Sequence, residues 1–180
     1  MKKIAITGGI GAGKSSIGKL LLEKDFTVID SDEIVRSLYE RIEVQGKIRK
    51  IFGSLKKEEI AEQAFSDSAK REELEKILHP LVKEEIEKIQ GEILFVEVPL
   101  LFETGMEEDF DFVVAVKASE EARIERMKEK GMSEEEVMKR IRAQLSDSER
   151  VKKADLVIDN DGNLRELEAR VKELIGKVIG

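Results

Sequence analysis

The sequence predicts an α/β fold built on a mostly parallel five-stranded sheet, and three observations predict it. Short apolar runs alternate with longer amphipathic stretches from end to end, the pattern of strand–helix units rather than of hairpins or bundles. The runs Ile93-Leu94-Phe95-Val96 and Phe112-Val113-Val114-Ala115-Val116 are almost continuously apolar, as parallel strands covered on both faces are. Between the first run and the first amphipathic stretch lies a glycine-rich turn, Gly8-Gly9-Ile10-Gly11-Ala12-Gly13-Lys14-Ser15.

Each element follows from local pattern. Lys3-Ile4-Ala5-Ile6-Thr7 reads as a buried strand, and Ile17, Leu20 and Leu21 after the turn share one helical face. Phe26-Thr27-Val28-Ile29 is a second strand, closing on Asp30-Ser31-Asp32. From Glu33 to about Gln90 the pattern is helical and charged. Ile48, Ile51 and Phe52 form one apolar face there, ended by Gly53. Leu74, Ile77, Leu78, Leu81 and Val82 form another face, crossed by Pro80. A proline inside a helical pattern is expected to end one helix and open the next, leaving His79 at the junction. This stretch separates two strands, so it reads as an insertion beside the sheet. The third strand ends at Glu97, and the fourth covers Phe112 to Val116. Ser119 is expected to cap a helix that carries Arg123, Arg126 and Lys130 on one face and stops at Gly131. Ser133 and Glu136 fit a capping box for a helix bearing Arg140. Leu156-Val157-Ile158-Asp159 is the fifth strand, and Leu164, Leu167, Val171, Leu174 and Val178 give a final amphipathic helix.

Composition narrows the function. With 180 residues, one domain with inserted subdomains is the expectation. Charged residues are 39% of the chain, yet the net charge is only −7 and the signs are interspersed. No broad basic field exists, which argues against nucleic acid as a partner. The chain has no cysteine and a single histidine, His79, so disulfides, thiolate sites and histidine metal clusters are excluded. The first strand begins almost at the N-terminus, and the longest apolar stretch, Ile93 to Phe102, is interrupted by Glu97 and Pro99. A cytoplasmic protein with no membrane partner is expected. The sequence carries no signal for an oligomeric state.

The turn fits G-x-x-x-x-G-K-[ST], with Gly8, Gly13, Lys14 and Ser15 in the fixed positions. Glycines let the backbone turn tightly and come close to a phosphate, and successive N–H groups then cradle its oxygens. A helix starting there turns its positive end to the same anion. Lys14 is spaced to reach the outer phosphates and Ser15 to offer a hydroxyl to Mg²⁺. The strand before and the helix after are the context the motif requires. In an open parallel sheet ligands bind beyond the carboxyl ends of the strands. The loop, Asp30, Asp32, Glu97, Asp159 and Asn160 occupy those ends and are expected to converge on one crevice.

If the chain stays extended past the second strand, Asp30 and Asp32 point the same way. A carboxylate there can take the proton of an acceptor hydroxyl, and its neighbour can hold Mg²⁺. The competing reading is that Ser31 or Asp32 caps the next helix. Arg123, Arg126, Lys130 and Arg140 on two short helices form a hairpin able to close over phosphates. Glu136 four residues before Arg140, and Glu129 three after Arg126, equally fit ordinary solvated pairs. Glu97 faces the crevice or fixes the following loop.

Taken together, the phosphate loop, Asp30-Ser31-Asp32, Leu78-His79-Pro80, Glu97-Val98-Pro99-Leu100-Leu101-Phe102-Glu103, Arg140 with Gln144, and Ala154-Asp155-Leu156-Val157-Ile158-Asp159-Asn160 resemble the dephospho-CoA kinase family. The resemblance implies a P-loop NTPase three-layer sandwich: one kinase domain over 1–180, a helical acceptor-binding insertion at about 33–91 and a helical lid at about 118–146. It implies transfer of the γ-phosphate of ATP, with Mg²⁺, to the ribose 3′-hydroxyl of dephospho-CoA, the last step of coenzyme A synthesis. By position it implies that Gly11, Ala12, Gly13, Lys14, Ser15 and Ser16 hold the nucleotide, with Ser15 on the metal. Asp32 would be the general base, Arg140 a lid arginine facing the phosphates, and Asn160 part of the loop near the adenine. Asp32, His79 and Glu97 would border the acceptor. The chain departs from the family at Arg123, where glutamine is frequent, and at Lys130, where arginine is frequent.

Two other readings share parts of this pattern. A nucleoside monophosphate kinase would show the same loop, lid and acceptor region. A nucleotide switch would share the loop, but the chain has no N-K-x-D motif, and Asp159-Asn160-Asp161-Gly162 fits D-x-x-G too late in the sequence.

Overall fold

Strands β1 (Lys2–Gly8), β2 (Thr27–Asp30), β3 (Ile93–Glu97), β4 (Phe112–Lys117) and β5 (Leu156–Asp159) form one sheet in the order β2-β3-β1-β4-β5. This is seen in a computed structural model that describes residues 1–180. β1 pairs with β3 and β4, and β4 with β5, all parallel. In this register Ile6 lies beside Glu97 and Val114, and Lys117 beside Asp159, so the carboxyl ends line one edge. Nine helices complete the fold: α1 (Lys14–Leu22), α2 (Ser31–Leu38), α3 (Ile42–Phe52), α4 (Lys57–Ser66), α5 (Ser68–Glu87), α6 (Glu120–Glu129), α7 (Glu134–Ala143), α8 (Asp147–Lys153) and α9 (Leu164–Ile179). No helix is long and apolar enough to cross a membrane.

The chain divides into two compact units, one of Met1–Ile29 with Gly91–Gly180 and one of Asp30–Gln90. The first holds the sheet. Its central strand is fully enclosed, with Ile4, Ala5, Ile6 and Thr7 all at 0% exposure, as an apolar run between two parallel neighbours demands. α1 presents Ile17, Leu20 and Leu21 to the same core as Phe95 and Val114. α9 adds Leu167, Val171, Leu174 and Val178 to the core, while Leu164, expected in the same stripe, opens the helix 61% exposed. Phe26 meets Phe95 edge-on, ring centres 5.4 Å apart, locking β2 to the core. Each such aliphatic or aromatic group contributes roughly 1.5–3 kcal/mol by leaving water.

The second unit is helical, with α2, α3 and α4 each packed on α5. Two expectations are corrected here. Pro80 lies inside α5, which runs unbroken for 20 residues, so His79 sits in a helix interior and not at a junction. A mid-helix proline costs about 3 kcal/mol. Here Leu78, Val82 and Ile86, one turn apart, are all buried, and their burial exceeds that cost. A continuous helix also has a firm start, because Asp67 accepts from the N–H groups of Ala69 and Lys70 at 3.0 and 3.2 Å.

The chain does not stay extended through Asp30-Ser31-Asp32 either. Asp30 is extended, Ser31 already opens α2, and Asp30 itself accepts the N–H of Asp32 at 2.9 Å. Asp30 is therefore the cap, in place of Ser31 or Asp32, and the two carboxylates have separate tasks. In α3 the buried stripe is Val44, Ile48 and Phe52, with Ile51 beside it only half-buried. Gly53 closes that helix at φ +71°, a conformation glycine adopts without penalty.

Candidate active site

β1 delivers the chain to Gly8, and α1 takes it up at Lys14. Gly13 precedes the helix at φ 104°, ψ 23°, and no side chain caps α1, whose first turn has no acidic residue. The positive end of the helix is thus left for an anion. Glycine is required at Gly13 twice over, for that φ and because a Cβ would overlap Nδ2 of Asn160.

The loop is held from outside. Asn160, buried at the end of β5, donates from Nδ2 to the Ala12 carbonyl at 2.8 Å. Arg126 reaches the Gly11 carbonyl at 3.2 Å and the Asn160 carbonyl at 2.5 Å. Arg123 donates from Nε to the Ile10 carbonyl at 2.8 Å, while the Ile10 N–H donates to Gln144 at 2.9 Å. Lys14 Nζ turns back to the Gly8 and Gly9 carbonyls at 2.7 and 3.3 Å. Beneath this frame lies a cleft of about 310 Å³ lined by Gly11, Gly13, Lys14, Ser15, Ser16, Arg126 and Lys130. Glu129 also borders it.

The two helices of the hairpin start as their sequences require. Ser119 accepts the Ala122 N–H, and Ser133 and Glu136 form the full capping box. The Ser133 N–H and hydroxyl hold the Glu136 carboxyl below its usual range. Arg123 and Arg126 share the face of α6 that addresses the loop, and Lys130 follows directly after the helix. Arg123 is buried at 6% exposure, so it is not a solvated surface charge. Burial pushes its guanidinium down, Asp147 pushes it up, and Arg150 pushes it down again. Arg140 is exposed on α7 and is not among the residues lining the cleft.

Around the sheet edge, Glu97 is half-buried at the end of β3, its Oε1 against Gly18 of α1, where a Cβ would overlap it. Lys117 pairs with Asp159 at 2.6 Å, a hydrogen bond that raises the lysine. Asp161 accepts the Ser119 N–H at 2.7 Å and is held below its usual range by it. This ties the turn after β5 to the start of α6. Asn160, expected near a base, spends its side chain on the loop.

The second unit has its own cavity, of about 510 Å³, lined by Asp32, Arg36, Tyr39, Lys57, Ile60 and Leu74 among others. Asp32 is exposed in the first turn of α2. Burial raises the Tyr39 phenol. Most of its lining is apolar, with Arg36 and Lys57 as its cations and Asp32 as its carboxylate. His79, half-buried in α5, is not among the lining residues.

Sequence reasoning missed Asp147 and Arg150, and gave Glu103 no role beyond its place in the stretch from Glu97. Arg150 is almost fully enclosed, bonded to Glu103 at 2.7 Å and to Asp147 at 3.2 Å. The only local signal was the three-residue spacing of Asp147 and Arg150, which surface pairs share.

Ser15 stands exposed at the mouth of the cleft, and no group of three or more acidic, histidine or cysteine side chains lies anywhere in position to hold a metal. That donor set fits Mg²⁺, which takes few protein ligands and completes its shell with phosphate and water.

Residues 2–166 match the sequence model of the family described as "Dephospho-CoA kinase". A Dephospho-CoA kinase of Corynebacterium glutamicum is 37% identical over 99% of this chain and 100% of its own length. The crystal structure of TT1252 from Thermus thermophilus is 34% identical with a TM-score of 0.87, covering 99% of this chain and 98% of that one. A Dephospho-CoA kinase from Campylobacter jejuni is 27% identical with a TM-score of 0.67, covering 99% and 98%.

Proposed function

The chain belongs to the dephospho-CoA kinase family, and from that premise we propose a division of labour among its own residues. The protein is an ATP-dependent kinase that phosphorylates dephospho-CoA, giving coenzyme A and ADP. The observation that carries this reading is the uncapped start of α1 behind a loop whose Ile10, Gly11 and Ala12 carbonyls are taken up by Arg123, Arg126 and Asn160.

The loop from Gly11 to Ser16 receives the ATP phosphates, and Lys14 exchanges the Gly8 and Gly9 carbonyls for phosphate oxygens. Ser15 provides a hydroxyl to Mg²⁺, which when bound neutralises charge on the phosphates. Asp32 orients the ribose 3′-hydroxyl and takes its proton as that oxygen bonds to the γ-phosphorus. The bond from that phosphorus to the bridging oxygen breaks, and ADP leaves. Arg140 on the lid stabilises the charge spread over the transferring group. The cavity beside Asp32, with Arg36 and Lys57, takes the acceptor. The insertion at about 33–91 is read as the acceptor-binding part and about 118–146 as the lid. The enzyme is read as cytoplasmic, acting on small molecules rather than nucleic acid.

The test is ADP formation from ATP and Mg²⁺ with dephospho-CoA, AMP, CMP or no acceptor in parallel. ADP only with dephospho-CoA, with coenzyme A as product, is expected. Turnover with a nucleoside monophosphate instead would overturn the acceptor assignment while keeping the phosphate site.

A further inference from the structure

The tip of the phosphate loop is clamped by groups that do not line the cleft. Ile10 donates its N–H to Oε1 of Gln144 at 2.9 Å and accepts at its carbonyl from Nε of Arg123 at 2.8 Å. Both backbone polar atoms of Ile10 are thereby committed, so neither of the two peptide groups that flank it can flip without losing a bond.

The two clamping residues are joined behind the loop. Arg123 bonds Asp147 at 3.3 Å, and Asp147 bonds Arg150 at 3.2 Å. Arg150 bonds Glu103 at 2.7 Å, and the same Glu103 oxygen accepts the N–H of Leu145, next to Gln144, at 3.0 Å. The connections close into a ring: Ile10, Arg123, Asp147, Arg150, Glu103, Leu145, Gln144 and back to Ile10. Two guanidiniums face two carboxylates, so the ring is electrically balanced. Its arginine side chains are 7% and 1% exposed.

Buried ion pairs of this kind add little net stability, because desolvation offsets their attraction. What they supply is a fixed geometry. Gln144 is also the residue that ends α7, so the ring ties the foot of the lid helix to the loop tip.

We propose that Gln144 and Arg123 are positioning residues for the phosphate loop, locked by Asp147, Arg150 and Glu103, and that this ring sets phosphate affinity without touching the nucleotide. The proposal rests on the reading that the loop binds the phosphates of ATP.

The test compares ADP with adenosine, which shares the base and ribose but has no phosphate. Binding of each is measured calorimetrically to the full chain and to Gln144→Leu and Asp147→Asn. Losing one such hydrogen bond predicts about tenfold weaker ADP binding in Gln144→Leu. Asp147→Asn leaves two arginines without their shared counter-charge and is expected to act in the same direction. Adenosine binding is expected to stay within about twofold in both, since base and ribose contacts are untouched. A merely structural role would weaken both ligands alike or neither, and either result overturns the proposal. If Gln144→Leu fails to fold, Gln144→Asn keeps the polarity but is one methylene too short to reach Ile10, and the same comparison applies. Equal affinity of the unaltered protein for ADP and adenosine would remove the phosphate-loop reading itself, an outcome distinct from failure of the ring.

Discussion

Gly13 and Asn160 should be energetically coupled, and the coupling can be worked from their geometry. Gly13→Ala places a Cβ at φ 104°, outside the minima of L-residues, at a cost of about 1.5 kcal/mol. The same Cβ overlaps Nδ2 of Asn160, so that side chain must leave the Ala12 carbonyl it bonds at 2.8 Å. Leaving that buried carbonyl only its long 3.5 Å contact with Arg126 costs roughly another 1.5 kcal/mol. Gly13→Ala alone is thus expected to cost about 3 kcal/mol, or a Tm lower by roughly 6–12 °C in a chain of this size. Asn160→Ala alone should cost about 2 kcal/mol, through the same weakened carbonyl and a small void. In the double variant the overlap is gone and the carbonyl is lost only once, so the total should be about 3.5 kcal/mol rather than about 5. Urea unfolding of the four proteins measures this directly as a coupling of about 1.5 kcal/mol. Costs that add to within about 0.5 kcal/mol would mean that Asn160 is not what the loop packs against.

Other perturbations separate the roles of neighbouring groups. Asp32→Asn should fold normally and lose about 10²–10⁴ in kcat, and a near-normal kcat would remove Asp32 as the base. Arg140→Ala should lower kcat more than it weakens the acceptor, measured by steady-state kinetics, and the reverse would make it an acceptor ligand. Gly18→Ala would ordinarily stabilise a helix interior by about 1 kcal/mol. Here the new Cβ displaces the Glu97 carboxylate, so a raised KM for dephospho-CoA with a nearly unchanged Tm is expected; a raised Tm with unaltered KM would refute it. Asp161 is held below its usual 3.8 by the Ser119 N–H, so its contribution is full above the unfolded value and lost as pH falls through the folded one. Tm should therefore begin to drop as pH falls toward the unfolded value and go on dropping below it, less steeply in Asp161→Asn; equal slopes would show that this bond does not carry the dependence.

The fold was legible where one period dominated. Apolar runs gave the strands, and the spacing of Leu167, Val171, Leu174 and Val178 gave the last helix, because burial on one face leaves a repeat that composition cannot hide. It was misread where two local rules competed. Pro80 argued for a break, and the buried series Leu78, Val82, Ile86 argued for continuity; tertiary packing decided, and packing is not visible in a window of a few residues. At Asp30-Ser31-Asp32 three residues could each cap a helix, and only the point where β2 releases the chain selects Asp30.

The loop itself was equally legible, because its glycines are fixed by local backbone geometry. Its support was not, because the supporting side chains come from far along the chain and look like surface charges in sequence. Five consecutive carbonyls, Gly8 to Ala12, accept from side chains: Lys14 takes the first two, Arg123 the third, Arg126 the fourth and Asn160 the fifth. A carbonyl aimed into the cleft would repel a phosphate. Arg123, Arg126 and Asn160 occupy the Ile10, Gly11 and Ala12 carbonyls, and three of the loop's four donors are cations, so the same bonds that shape the loop also make its surroundings positive. Arg123 and Arg126 were weighed as phosphate clamps or as solvated decoration. Their bonds make them part of the loop's construction, which explains how a chain of net charge −7 assembles a site for a polyanion.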